Sequence, residues 1–136
     1  MSNDRFDRAE ITHNRALARE ALEVADELLD SGHPRFAAAN AYYAAFYAAT
    51  AALLNRGHSF KTHSGLVSAF HQHLVRSGDL SADAGSTMSS LLELRFSGQY
   101  GAHDHPLTRD EAARAVAAAR NLVGQIESLI EKEKRQ

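Results

Sequence analysis

Apolar residues recur every three or four positions along most of the chain, a spacing that gathers side chains on one face of an α-helix. The most regular run follows Pro34, which suits the first turn of a helix, and continues to Arg56. Alanines fill most other positions there, so neighbouring helices can approach closely on several sides. We therefore interpret residues 34–56 as a central helix. The stripe expected to pack in the core is formed by Phe36, Ala39, Tyr43, Phe46, Thr50 and Leu53.

Residues that start or end helices divide the chain into further segments. Glycines free to adopt φ > 0 follow three periodic segments, at Gly32, Gly57 and Gly78. Thr62 suits the cap of a short helix, and Thr108 with Glu111 forms the T-x-x-E pattern of a capping box. Segment 97–107 has two glycines, one proline and no periodicity, so we predict a loop. The predicted helices span about residues 3–31, 34–56, 62–77, 81–97 and 108–133.

The inward faces of the first and last helices follow from the same spacing. The first helix is expected to bury Leu17, Ala21, Val24 and Leu28. The last helix is expected to bury Ala119, Val123, Ile126 and Ile130. Because connections of about two to ten residues favour antiparallel neighbours, the sequence predicts an all-α, up-and-down antiparallel bundle of four long helices and one short helix. We interpret residues 1–136 as one such domain.

Composition supports this fold and excludes several kinds of chemistry. Alanine, the residue with the highest helix propensity, is the commonest residue, and only two prolines occur. The absence of cysteine excludes disulfides, thiolate zinc sites and a cysteine nucleophile. No apolar run reaches the roughly 18 residues of a membrane span, and residues 1–9 lack a signal peptide's apolar region, so we expect a cytoplasmic protein without a membrane partner. With a formal charge of -2, any contact with RNA must be local or transient.

Two polar residues interrupt apolar helical faces and are candidates for a functional site. Arg95 lies one helical turn after a pair of leucines, which places its guanidinium at the edge of a core-facing surface. A charge there needs a carboxylate, carbonyl or phosphate partner, so a structural pairing and a functional role are both open. Asn40 lies between Phe36 and Tyr43 on an inner face, and we expect it to form a buried polar tie between helices.

Histidines are numerous, but their spacing does not favour a metal site. His71 and His73 are two residues apart and would point away from each other on a helix. Glu10 and His13 match half of a di-iron signature, which needs a second such motif and two further glutamates. The glycine patterns of nucleotide-binding loops and the Gly-x-Ser-x-Gly elbow of hydrolases are also missing. We therefore predict no metal site and no cofactor.

Several motifs between about residues 36 and 130 carry a family resemblance. They are Asn40 with Tyr42-Tyr43-Ala44, the run Lys61-Thr62-His63-Ser64-Gly65 at the start of the third helix, and Arg95 followed by Gly98 and Tyr100. In this combination the chain resembles the stand-alone prokaryotic HEPN proteins. The resemblance implies a helical bundle, commonly a homodimer that brings two arginine regions to a shared cleft. It also implies a link to RNA cleavage and to nucleotidyltransferase partners.

The resemblance further implies a metal-independent ribonuclease chemistry. Active HEPN ribonucleases carry an arginine followed, after four to six residues, by a histidine; here His103 follows Arg95 after seven residues and His105 after nine. RNA can be cut without metal when its 2′-hydroxyl attacks the adjacent phosphate, with an imidazole moving protons and a guanidinium stabilising charge. Arg95 and His103 are the implied catalytic residues. The sequence departs from the family at Gln99, usually acidic, and at Ala41, often arginine.

The other motif residues are implied to bind or to support structure. Asn40, Tyr43 and His63 belong to this group, and His63 is expected to help start the third helix. In some relatives a nucleotidyltransferase antitoxin adds AMP to a tyrosine just after the arginine motif, whereas Tyr100 precedes the histidines and could instead pack its ring with the hydroxyl in water. Two functions follow: a toxin ribonuclease neutralised by a nucleotidyltransferase, or a non-catalytic helical module that binds a nucleotide or such a partner.

Overall fold

The computed structural model describes residues 4–100 and 106–134, with side chains described for 8–95 and 106–134. Its α-helices are α1 (Asp4–Asp30), α2 (Pro34–Asn55), α3 (His63–Phe70), α4 (Ala82–Tyr100) and α5 (Arg109–Lys134). Helix α3 passes directly into one π-helical turn, His71–Val75, so the predicted helix 62–77 is a composite of two helix types. The described part of the chain contains no strand. The predicted all-α fold with four long helices and one short helix is confirmed.

Helix α2 is the central helix, as predicted, and it packs against α1, α5 and α4 and also contacts α3. The prediction of its core face was partly wrong, because the most enclosed residues of α2 are mainly alanines together with Tyr42. Of the predicted stripe, Ala39 and Leu53 are buried, whereas the half-buried or exposed members are Phe36, Tyr43, Phe46 and Thr50. Alanine has no side-chain atom beyond Cβ, so helices approach most closely over alanine faces. Larger aromatic rings then lie along the edges of those contacts.

The buried face of α1 is also rotated from the predicted one. Its buried residues include Ala18, Leu22, Ala25 and Leu29. Of the predicted face, Ala21 is buried, but Leu17, Val24 and Leu28 are only half-buried. The predicted inward face of α5 is confirmed, because all four of its residues are buried. The buried face of α1 thus combines alanines with the larger side chains of Leu22 and Leu29.

The helix ends follow the capping signals of the sequence. The Thr62 hydroxyl oxygen accepts a hydrogen bond from the backbone N–H of Gly65 at 2.9 Å. The capping box of Thr108 and Glu111 makes both of its hydrogen bonds, at 3.0 and 3.1 Å. Positive φ angles of 82°, 85° and 87° occur at Gly32, Gly57 and Gly78. The end of α4 was predicted wrongly: the helix continues to Tyr100 instead of ending near residue 97. One glycine costs a helix only about 1 kcal/mol, which regular hydrogen bonding can absorb.

Ion pairs join the C-terminal half of α5 to the rest of the bundle. Arg15 of α1 donates hydrogen bonds to Glu127 and Glu131, both at 2.7 Å. Arg56 donates to Glu133 through Nε at 2.9 Å and to the carbonyl oxygen of His73 through Nη1 at 2.7 Å. These contacts hold α5 against α1 and against the end of α2, and Arg56 also joins the end of α2 to the π-helical turn. Among the described residues, none of the helices is both long and apolar enough to cross a membrane.

Candidate functional site

Arg95 lies on α4, and its half-buried side chain reaches α2. Its Nε and Nη2 atoms both donate hydrogen bonds to the hydroxyl oxygen of Tyr43, at 3.2 and 3.0 Å. The guanidinium carbon also lies 5.6 Å from the ring centroid of Tyr42 and 5.3 Å from that of Tyr43. A cation at such distances is attracted by the negative face of an aromatic ring. Two adjacent tyrosines therefore fix the guanidinium at the edge of the core.

Tyr42 connects this region to His63, the first residue of α3. Tyr42 is fully buried, and its hydroxyl lies 3.0 Å from Nδ1 of His63. Burial raises the pKa of Tyr42 to about 12, although the charge of Arg95 opposes this shift, so the hydroxyl keeps its proton at neutral pH. A buried O–H needs a partner, and within the described residues its partner is Nδ1 of His63. We therefore assign the Tyr42 proton to this hydrogen bond and the imidazole proton of His63 to Nε2.

His63 packs against α2 in surroundings that favour its neutral imidazole form. Its ring stacks on Phe46 with centroids 4.2 Å apart, and it meets Tyr43 edge-on at 6.3 Å. Burial lowers the pKa of His63, and the positive charge of Arg95 lowers it further. In this state the ring offers Nε2–H as a donor. We call Arg95, Tyr42, Tyr43 and His63 the arginine cluster.

The lowered pKa of His63 predicts a pH-dependent contribution to stability. Below about pH 6.5, the usual pKa of histidine, the unfolded chain binds a proton at this residue that the folded chain resists, so the free energy of unfolding decreases as pH falls. Replacing His63 by glutamine should make this decrease smaller. Urea unfolding at several pH values between about 5 and 8 measures it, with His13→Gln on the exposed face of α1 as control. An unchanged pH dependence in His63→Gln would contradict the prediction.

The other residues predicted for the site are placed as follows. Asn40 is half-buried, and its amide donates a hydrogen bond at 3.0 Å to the carbonyl oxygen of Phe36 in its own helix. The described residues show no hydrogen bond from Asn40 to another helix, so the predicted tie between helices is replaced by a bond within α2. Tyr100 is the last residue of α4, and its side chain lies outside the described residues. His103 and His105 lie outside them too, so the pairing of Arg95 with His103 stays a prediction.

Sequence reasoning missed Tyr42 as a member of the site. The apolar spacing of α2 selected Tyr43. The preceding residue, Tyr42, faces another side of the helix and links Arg95 to His63. The signal that could have found it is the Tyr42-Tyr43 pair itself, because consecutive helical residues face different partners. His71 and His73 are engaged separately: His71 contacts the Ser89 hydroxyl at 3.1 Å, and His73 stacks on His58 at 4.2 Å.

Comparison with known proteins shows the family to which this helical chain belongs. The HEPN domain family model matches residues 15–129. A UPF0332 protein of Thermotoga maritima is 37% identical over 91 residues, which cover 67% of this chain and 69% of the relative. A protein of Methanocaldococcus jannaschii whose name marks it as a candidate toxin is 31% identical over 114 residues, 84% of each chain. The chain belongs to the HEPN domain family.

A solved structure supports the fold independently. The crystal structure of TT1696 from Thermus thermophilus matches with a TM-score of 0.75 over 88% of this chain and 97% of that chain. The two sequences are 24% identical, so this likeness shows the fold alone. A UPF0332 protein of Gloeobacter violaceus, 33% identical over 100 residues, covers 74% of this chain and 79% of its own length.

Proposed function

We propose that this HEPN-family chain is a metal-independent endoribonuclease of the toxin type, in which Arg95 contacts a phosphate of RNA. The observation that carries the proposal is the arginine cluster, where two tyrosines fix the orientation of the guanidinium. Its planar set of N–H donors matches the oxygens of a phosphate. Similarity to a relative named as a candidate toxin supports the biological part of the proposal.

The proposed reaction needs no metal because the attacking group belongs to the RNA. The 2′-hydroxyl oxygen bonds to the adjacent phosphorus, and the bond from phosphorus to the 5′-oxygen of the next nucleotide breaks. The products are a 2′,3′-cyclic phosphate and a 5′-hydroxyl. A base takes the proton of the 2′-hydroxyl, and an acid gives one to the leaving oxygen. Arg95 would stabilise the charge that develops on the phosphate, and we assign His103 as acid or base.

Cleavage in the presence of EDTA tests this function. We expect the purified chain to cut single-stranded RNA in EDTA and to leave cyclic phosphate ends. His103→Ala should slow cleavage by about 10²–10⁴-fold, the usual contribution of general acid-base catalysis. His13→Ala is the control, because this exposed histidine of α1 is outside the cluster. His105→Ala separates the two candidate histidines. Cleavage that requires a divalent metal, or that survives His103→Ala unchanged, would contradict the proposal.

We also propose that two copies of the chain associate through the face of α2 that carries Tyr43. Phe36 is 53% exposed and lies seven residues before Tyr43, which places both on one side of the helix. Large exposed apolar side chains beside a site are typical of interaction surfaces when they form part of a patch. A homodimer formed there would bring two arginine clusters towards one cleft.

Phe36→Ser should shift this homodimer towards monomer, because the substitution removes exposed apolar surface without disturbing the core. Sedimentation equilibrium measures the mass of both forms at micromolar concentrations. Phe60→Ser is the matched control, since Phe60 is 39% exposed but lies in the segment between α2 and α3. A wild-type chain that is monomeric throughout this range would refute the dimer.

The second candidate is a non-catalytic HEPN module that binds a nucleotide or a nucleotidyltransferase. The observation that favours it is that Arg95 donates two hydrogen bonds to Tyr43, as a structural tie between α2 and α4 would. A neighbouring nucleotidyltransferase gene would suit both candidates, so gene context would not separate them. Three results would distinguish the non-catalytic module from the ribonuclease. RNA stays intact in the EDTA assay, expression of the chain does not arrest growth, and the nucleotidyltransferase co-purifies with the chain.

A further inference from the structure

A cavity of about 150 Å³ lies beside the arginine cluster, between α1, α2 and the segment that joins α2 to α3. Phe46 and Leu53 of α2 form part of its wall, Glu10 and Asn14 of α1 contribute polar groups, and Phe60 adds a second aromatic ring. None of these five residues belongs to the arginine cluster. The cavity therefore combines aromatic surface with hydrogen-bonding groups at a place that Arg95 does not line.

Phe46 joins the cavity to the arginine cluster. Its ring lines the cavity and also stacks on His63 at 4.2 Å. Thr50, which lines the cavity too, follows Tyr43 by seven residues on the same side of α2. The two residues are about 10 Å apart along the helix axis, at a rise of about 1.5 Å per residue. An extended RNA strand with a phosphate at Arg95 can thus place a neighbouring base in the cavity.

Glu10 and Asn14 supply hydrogen-bonding groups to this cavity. In the described part of the chain, the Glu10 carboxylate makes no hydrogen bond. The Asn14 amide donates one N–H to the backbone carbonyl oxygen of Glu10 at 2.9 Å. It retains its other N–H and its oxygen, so the pair can offer acceptors and one donor to a ligand.

We propose that this cavity binds a cytosine base of single-stranded RNA, an inference that rests on the proposed ribonuclease function. A cavity of about 150 Å³ holds one six-membered aromatic ring, which favours a pyrimidine over a purine. Cytosine carries an exocyclic amino group, and carboxylates of proteins accept hydrogen bonds from that group. Uracil has a carbonyl oxygen at the same position, which the Glu10 carboxylate repels. Stacking of the base on Phe46 and Phe60 adds affinity.

Titration of the isotope-labelled full chain with cytidine and uridine monophosphates, followed by NMR, tests the proposal. The amides of Thr50, Leu54 and Leu66 report on the cavity, because all three residues line it. We expect cytidine monophosphate to shift these signals and to bind about tenfold more tightly than uridine monophosphate, as for one good base contact. Glu10→Gln should abolish this preference, because an amide can either accept from cytosine or donate to uracil. Glu20→Gln, exposed on the same helix, should keep it.

Inorganic phosphate titrated alone identifies the shifts that an anion causes without a base. Equal binding of the two nucleotides, or shifts that match those of phosphate and miss the cavity, would overturn the proposal. Because binding requires no cleavage, the two proposals fail separately. A chain that binds cytidine monophosphate in the cavity but leaves RNA intact in EDTA refutes the nuclease and supports the cavity. Cleavage with no cavity shifts and no preference for cytosine refutes the cavity alone.

Discussion

Replacing Arg95 by lysine is expected to lower the rate of RNA cleavage by about 10²–10³-fold, the range found when one group that stabilises transition-state charge is lost. Lysine keeps the positive charge but lacks the planar fork of N–H groups. It therefore cannot donate two hydrogen bonds to the Tyr43 hydroxyl while facing a phosphate in a fixed orientation. Single-turnover cleavage in EDTA measures the rate, and thermal unfolding followed by circular dichroism confirms that the helices remain.

Arg120→Lys is the matched control for this substitution. Arg120 is an exposed arginine of α5 that pairs with Asp26 at 2.6 Å, away from the arginine cluster. Its replacement should leave both the cleavage rate and the stability near those of the wild type. If Arg95→Lys also cleaved RNA at the wild-type rate, Arg95 would act only as a structural tie between α2 and α4, and its proposed catalytic role would be refuted.

Replacing Tyr42 by alanine is expected to lower the free energy of unfolding by about 3–5 kcal/mol, the usual cost of truncating a buried aromatic residue. Tyr42 is 0% exposed and lies at the centre of α2. The substitution removes a ring from the core, the aromatic face beside Arg95, and the hydrogen bond to His63. Urea unfolding measures the change, and a constant m-value confirms that the transition remains two-state.

Two milder substitutions divide this effect into its parts. Tyr42→Phe keeps the ring and removes only the hydroxyl, so it should cost about 1 kcal/mol, the net value of one hydrogen bond. Tyr47→Phe is the control, since the Tyr47 side chain is half-buried on the same helix and its hydroxyl makes no hydrogen bond among the described residues. It should change stability by less than about 0.5 kcal/mol. A loss in Tyr42→Ala no larger than that in Tyr42→Phe would show that packing of the ring contributes little.

The helices could be predicted from the sequence because their signals are local. Thr62 and Thr108 cap helices where the sequence expects caps, and the three glycines at φ > 0 end the segments that they follow. Such a cap is a hydrogen bond between a threonine hydroxyl and the backbone N–H three residues later. It forms within one short segment and does not depend on the rest of the fold. The sequence placed the end of α4 too early, near residue 97. A glycine lowers helix stability by only a small amount, so the helix can continue past it.

The core faces of α1 and α2 were harder to predict. Spacing alone selects the largest apolar side chains, and it therefore favoured Phe36 and Phe46 on α2. The structure instead buries most of the alanines of α2 and leaves these two rings exposed or half-buried. Which face of an alanine-rich helix is innermost depends on how closely its neighbours approach, and that distance is a property of the whole bundle.

For the candidate site, the sequence by itself determined that Arg95 lies on an apolar helical face and needs a partner, because helical geometry places each residue relative to its near neighbours. Only the tertiary structure decided which partners it meets. Tyr43 is 52 residues away along the chain, and His63 is 21 residues from Tyr42. Such contacts arise from the packing of α3 and α4 against α2, and no local pattern encodes them. The lowered pKa of His63 has the same origin, since burial and the nearby charge of Arg95 exist only in the folded chain.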